Sequence, residues 1–295
     1  MVHYHTNCLM KVPATDVLWT CKACNNKFKG KYCNRCGEKV ITAHDKSLLH
    51  IAEEGFHFIT HFEGKFFTSV KAIFTSPGKF SADYCYGIQK KYFKPVSFFL
   101  MLVIIYLLFP LFDGLNISLQ FHNNTQWYGE FAQATTNKVA QKYGLTEEQV
   151  SEKFSAASKT ASKFLLLLVI PIMAAWSKLI TIRRKDKLYY DHFIFSTEII
   201  SVLILWGFLI MPLLVLVYIT IAEWLTGTRP YNDTITGLIL ATTLLGYTYL
   251  AAKRFFLFKW YKALLYAAAY IVFCIYFFLY VYRFFLFWVS IKMVH

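Results

Sequence analysis

Seven cysteines are present, and four of them are spaced for chemistry. Cys21-Lys-Ala-Cys24 and Cys33-Asn-Arg-Cys36-Gly37 give C-x2-C-x8-C-x2-C. Each C-x2-C turn offers two thiolates, and eight intervening residues let both turns close on one ion as a tetrahedron. A lone C-x2-C would equally suit a dithiol redox pair. Two in tandem, with Gly37 free to take the positive φ needed just past a ligand, point to a four-cysteine zinc ribbon. All four positions are thiolate, so none is left for water, and the expected zinc is structural. A reducing compartment would keep the thiols available. Cys8, Cys85 and Cys274 fall outside this scheme.

Other polar groups suggest weaker chemistry. His50, Glu54, His57 and His61 fall on one side of a helical wheel and could present metal ligands. No second helix of that kind follows, so whether this stripe binds metal is left open. Lys79, Lys90, Lys91 and Lys94 stand among Tyr84, Tyr86, Tyr92 and Phe93, a mixture suited to anionic phospholipid headgroups. Glu198 is an acid inside an apolar run, near the depth of Arg183 and Arg184, and an ion pair with them, or snorkelling to the interface, is the expected arrangement. Lys22, Lys27, Lys29, Lys31, Arg35 and Lys39 surround the ribbon. Nucleic acid is not the favoured partner, because no fuller recognition element accompanies them. There is no HEXXH and no G-x-S-x-G, so no catalytic residue is assigned.

The elements that must carry these groups follow from composition. Of 295 residues, 57% are hydrophobic and 19% aromatic, and only 16% are charged, against roughly 25% in soluble domains. The apolar residues come in long blocks. This excludes a disordered chain and a secreted disulfide scaffold, and predicts an all-α integral membrane protein. A bilayer core needs about 20 helical residues. Spans are expected at 95–112, 164–182, 199–219, 235–252 and 263–283, the last extending toward 291. Residues 1–43 should form the ribbon, 44–94 amphipathic interfacial helices and a basic juxtamembrane segment, and 95–295 the bundle. Within the bundle, 113–163 reads as an external helical hairpin, with Gly144 ending its first arm and Thr146 and Gln149 capping its second.

Charge sets the expected orientation. The net charge is +14. Residues 1–95 hold 14 basic and 7 acidic side chains, and the segments RRKDK (183–187) and KRFFLFKWYK (253–262) supply the remaining excess. With the N-terminus inside, all three basic segments face the cytoplasm and the C-terminus lies outside. No signal peptide is read in the first 20 residues.

The segment TSPGKFSADYCYGIQKKYFKPVSFFL, preceded by CKACNNKFKGKYCNRCGEK, resembles the bacterial membrane family catalogued as domain of unknown function 3667. Thr75, Pro77, Gly78, Phe80, Tyr84, Gly87, Lys90, Lys91, Tyr92 and Pro95 carry the likeness, which extends over roughly 20–105. It implies a bacterial cytoplasmic membrane, and it brings no reaction or substrate. The function expected is therefore non-catalytic: a membrane adaptor or regulator linking the ribbon, through an unknown protein partner, to a membrane component. A transporter or lipid-handling protein is the alternative. The oligomeric state is not readable.

Overall fold

A computed structural model describes residues 18–40, 65–108, 117–228 and 232–294. Two short strands, β1 (Leu18–Thr20) and β2 (Lys27–Lys29), pair antiparallel with Trp19 opposite Phe28. All other regular elements among the described residues are helical. They are α1 (Lys65–Thr75), α2 (Lys79–Tyr86), α3 (Pro95–Leu108), α4 (Leu119–Asn124), α5 (Gly129–Tyr143) and α6 (Glu147–Ile180). There follow α7 (Tyr189–Val202), a π-helical stretch Leu203–Ile210, α8 (Met211–Thr226), α9 (Asp233–Phe255) and α10 (Trp260–Tyr276). A second π-helical stretch, Phe277–Tyr282, leads into α11 (Arg283–Lys292).

Among the described residues, four helices are long and apolar enough to cross a membrane: Glu147–Ile180, Tyr189–Thr226, Thr234–Phe255 and Trp260–Lys292. The chain thus has the helices of a multi-pass membrane protein. Of the expected first span, 95–112, the described part is the apolar helix Pro95–Leu108, and residues 109–112 lie outside the described residues. The other four are longer than their apolar windows. The helix expected at 164–182 begins at Glu147, because the capping pair starts it there: the Thr146 N–H donates to Gln149 Oε1 (2.9 Å) and the Gln149 N–H to Thr146 Oγ1 (3.3 Å). The expected external hairpin is thus continuous with a span on its second arm.

The helix Tyr189–Thr226 is one element of 38 residues despite Pro212. Proline removes an N–H and crowds the carbonyl four residues back. The π-helical turn Leu203–Ile210 lies immediately before it, and such widened turns are a recognised way of absorbing a break in the i→i−4 ladder.

The chain divides into two compact units. The first comprises residues up to Leu102 together with Ala174–Leu203 and Thr242–Ala268. In it α2 packs on α7 and α1 on α2. Its core is aromatic: Phe80 meets Tyr92 edge-on at 5.3 Å, Phe66 lies 5.3 Å from Phe98, and Phe195, Phe255, Phe256 and Tyr266 form a second cluster.

The second unit comprises Val103–Met173, Ile204–Ala241 and Ala269–His295. Here α5 packs on α4 and on α11. Val150, Phe154, Ala157 and Ala161 are all buried, as their shared helical face predicts. His122 is buried against Phe154 and Phe287 with its Nδ1 2.7 Å from the Tyr128 hydroxyl. Burial, with a smaller contribution from Arg283, lowers its pKa to about 4, so the ring is neutral.

Candidate metal centre and its docking platform

The site is built from two turns and a two-stranded sheet. Phe28 is buried beneath the sheet with Cys21 and Cys33, and Trp19 and Val40 pack against them. So small a core holds little by itself. The two cysteine turns are closed by backbone bonds: the Cys21 N–H reaches Asn26 O (2.8 Å) and the Cys33 N–H reaches Glu38 O (2.8 Å). Gly37 supplies the positive φ, +69°, that the second turn needs.

Cys21, Cys24, Cys33 and Cys36 bring their sulfurs within 4.8 Å of one another. Cys21 Sγ lies 3.4 Å from Cys36 Sγ, and Cys24 Sγ 3.6 Å from Cys33 Sγ. These separations are far beyond the roughly 2.05 Å of a disulfide, and all four thiols are free. Zinc at about 2.3 Å from each sulfur would set them about 3.8 Å apart, so the cluster has the dimensions of a tetrahedral site. Backbone N–H groups also point at the sulfurs. Burial opposes ionisation of Cys33, but the N–H groups of Cys36 and Arg35 bring its pKa down to about 6. Backbone N–H groups of Asn26 and Glu38 likewise bond Cys24 and Cys36, but burial and the neighbouring thiols outweigh them and raise both, Cys36 to about 12. The donor set therefore fits a soft divalent ion, whose chemistry there would be to hold the fold closed.

The cluster is docked. Glu38 is buried, and its carboxylate accepts from the backbone N–H of Gln89 (2.9 Å) and of Lys90 (3.0 Å to each oxygen). Lys90 Nζ returns a bond to Cys36 O (2.5 Å). A Cβ at Gly37 would collide with that ammonium, which could swing aside only by giving up the bond, so glycine serves access here as well as φ. Lys22 Nζ donates to Tyr86 O (2.8 Å) and stands over the Tyr86 ring. The receiving surface is the turn 86–90, at the C-terminal end of α2.

The signature residues around α2 are explained one by one. Thr75 Oγ1 donates to Lys71 O and closes α1 (2.8 Å). Pro77 O accepts from Arg254. Phe80 is fully buried between Tyr92 and Phe98. Tyr84 packs with Tyr190 and Ile194. The Gly87 N–H closes α2 on Asp83 O, and the Tyr92 hydroxyl donates to Asp83 Oδ2 (2.6 Å). Pro95 opens α3, where a missing N–H costs nothing.

Gly78 is the tightest of these. Its φ is +75°, and an added Cβ would lie 2.5 Å from Ala251 O and 2.7 Å from Ala251 Cα, both backbone. Gly78→Ala is expected to cost about 2–5 kcal/mol, from the left-handed backbone plus overpacking against α9. Gly144→Ala, at φ +62° with open space around it, should cost only about 1–2 kcal/mol. Thermal unfolding in detergent compares the two.

Glu198 lies directly beside this contact and differs from expectation. Its side chain is completely buried and bonds neither Arg183 nor Arg184. Oε1 accepts from the Gly78 N–H (2.8 Å) and the Tyr247 hydroxyl (2.7 Å). Oε2 accepts from the Ser81 N–H (2.8 Å) and the Ser81 hydroxyl. Glu198 thus caps the N-terminus of α2 from α7, 117 to 120 residues away, in place of a local capping side chain. Four donors converge, and the positive end of the α2 dipole adds to them; together they can compensate a buried carboxylate. Arg184 is occupied elsewhere. Its guanidinium grips Asp186 at 2.7 Å through two bonds and donates to Phe256 O at 3.1 Å. Arg183 is exposed.

The four lysines also separate. Lys90 is part of the docking contact. Lys79 and Lys91 are exposed, Lys91 beside the Tyr92 ring, and Lys94 is half-buried at the start of α3. His50, Glu54, His57 and His61 lie outside the described residues. One buried network had no sequence signal at all: Ser177 Oγ lies 2.8 Å from His192 Nδ1 and 2.6 Å from the Tyr266 hydroxyl, tying α6, α7 and α10 together. Glu38 was also missed, although its place directly after Cys36-Gly37 is the position from which a side chain leaves the second turn.

No curated protein and no solved structure matches the chain. Residues 63–107, the stretch that holds α1, α2, the docking turn and the apolar start of α3, match the family model described as Protein of unknown function (DUF3667).

Proposed function

We propose that this is a non-catalytic membrane adaptor whose cytosolic zinc ribbon is held against a platform built by α1, α2 and the turn 86–90. The observation that carries the reading is the reciprocal contact between ribbon and platform: Glu38 on the Gln89 and Lys90 N–H groups, and Lys90 on Cys36 O. A closed four-thiolate site suits a structural ion, and zinc is the ion that prefers it. A ribbon fixed in orientation presents one constant face, with Leu18, Tyr32, Lys27 and Lys29 exposed on it. In this reading the N-terminus is cytoplasmic in a bacterial inner membrane. The span expected at 95–112, whose described part is Pro95–Leu108, joins the four longer helices as a fifth crossing, and the C-terminus lies outside.

The test uses the full chain in cells. A photocrosslinker at Lys29 or Tyr32 is expected to capture one defined protein, and Cys33→Ser should abolish the adduct while the membrane bundle still inserts. No adduct from either position, combined with solute flux in proteoliposomes that is indifferent to Cys33→Ser, would replace the adaptor with a transporter.

A further inference from the structure

The structure assigns a composite anionic-lipid site to the loop 183–187 and the segment 253–262, which the fold joins into one basic surface. In sequence these segments are some 70 residues apart. In space Arg184 donates to Phe256 O (3.1 Å) and lies over the Phe258 ring (5.6 Å), while Lys187 stands over the Phe255 ring (4.6 Å). Lys178 holds the loop from behind by a bond to Lys187 O (2.6 Å). Arg183, Arg184, Lys185 and Lys187 are therefore set beside Lys253, Arg254, Lys259 and Lys262. The acid between them, Asp186, is bound to Arg184, whose hydrogen bonds hold its carboxyl below the usual range.

The turn itself has an unusual conformation. Phe256 is fully buried, stacked at 5.2 Å on Phe258. Between them Leu257 adopts φ +55° and is 69% exposed. A leucine in the left-handed region carries steric cost that glycine would avoid, and here that conformation displays an apolar side chain outward. Trp260 and Tyr261 are exposed beside it. The turn joins Thr234–Phe255 to Trp260–Lys292, two helices of membrane-crossing length, so it must lie at a membrane surface. Exposed leucine, tryptophan and tyrosine ringed by lysine and arginine are suited to the headgroup layer, with apolar groups inserted and cations on phosphate. Beyond Arg184 on Asp186 and Arg254 on Pro77 O, the six basic side chains Arg183, Lys185, Lys187, Lys253, Lys259 and Lys262 fit a headgroup carrying more than one phosphate, such as cardiolipin, better than a single phosphate. This inference does not depend on the ribbon or on the adaptor reading.

Native mass spectrometry of the full-length protein in detergent, titrated with cardiolipin, phosphatidylglycerol and phosphatidylcholine, tests it. Cardiolipin should bind most tightly and phosphatidylcholine least. Lys253, Lys259 and Lys262 changed together to Gln should weaken cardiolipin binding by roughly 100-fold, at about fivefold per charge. Lys138, Lys159 and Lys163 changed together to Gln remove the same charge from exposed positions on α5 and α6, and should leave binding unchanged. Leu257→Gly, which relieves the backbone, should keep or raise thermal stability yet weaken lipid binding. Equal affinity for the three lipids, or equal loss in the two triple variants, would overturn the site. So would undiminished cardiolipin binding in the Lys253, Lys259 and Lys262 triple variant. A preference for phosphatidylglycerol equal to that for cardiolipin per phosphate would overturn the multi-phosphate assignment.

Discussion

Cys33→Ser is expected to release the metal from the purified full-length protein, taking the zinc content from one equivalent per chain to none, and to unfold the ribbon. The reason is the size of the ribbon's core. Phe28, Cys21 and Cys33 are its buried apolar residues, with Trp19 and Val40 at the edge, and two strands of three residues add few ladder bonds. Structural zinc contributes about 10–16 kcal/mol in small ribbons and fingers, which dwarfs anything that core supplies. The consequence should extend to the platform. Glu38 and Lys90 meet only while the second cysteine turn is closed, so amide exchange at Gln89 and Lys90 should accelerate in the variant and on chelation. Zinc retained at one equivalent in Cys33→Ser would refute the four-cysteine site. Zinc lost with Gln89 and Lys90 still protected would keep the site and refute the docking.

Glu198→Ala is expected to destabilise the first unit by about 3–5 kcal/mol, the cost of breaking a buried, fully bonded charge site. The substitution leaves the Gly78 and Ser81 N–H groups and the Tyr247 hydroxyl without their acceptor. Glu198→Gln tests the chemistry more finely. An amide offers one acceptor oxygen where the carboxylate offers two, and its NH2 would face donors at one of the two positions. It should therefore recover little of the loss, whereas Glu198→Asp fails through reach alone and keeps both acceptors. Equilibrium unfolding in mixed micelles reads the difference, and amide exchange across 79–87 reports whether α2 has lost its N-terminal anchor. Stability within about 0.5 kcal/mol of the parent for Glu198→Ala would show that the carboxylate does not hold α2.

The two effects meet on one short helix. Glu198 and Arg254 hold the N-terminal side of α2, and Lys22 and Glu38 grip the turn after its C-terminus, from which Lys90 reaches back to Cys36 O. The 63–107 segment is thus mostly a fitting between the four-cysteine module and helices of membrane-crossing length. This accounts for a signature made of Gly, Pro and aromatic residues without a nucleophile: each position controls a turn, a close approach or a buried ring.

What the sequence determined by itself was local. Tandem C-x2-C spacing determines a four-thiolate cluster, because ligand geometry operates within a turn. Apolar block length determines helices of membrane size, because 1.5 Å per residue must meet a fixed thickness. Thr146 with Gln149 and the glycine at 144 determined where α5 ends and α6 begins, because caps bond within four residues. The partners of charged groups were decided only by tertiary structure. Lys90 reads as a headgroup lysine, and the fold has it donating to Cys36 O; Glu198 reads as an arginine partner and caps a helix 117 residues upstream. The loops 183–187 and 253–262 read as orientation signals and form one surface. A charge finds its partner through the low dielectric and convergent donors of a packed interior, over separations in sequence that no local pattern encodes.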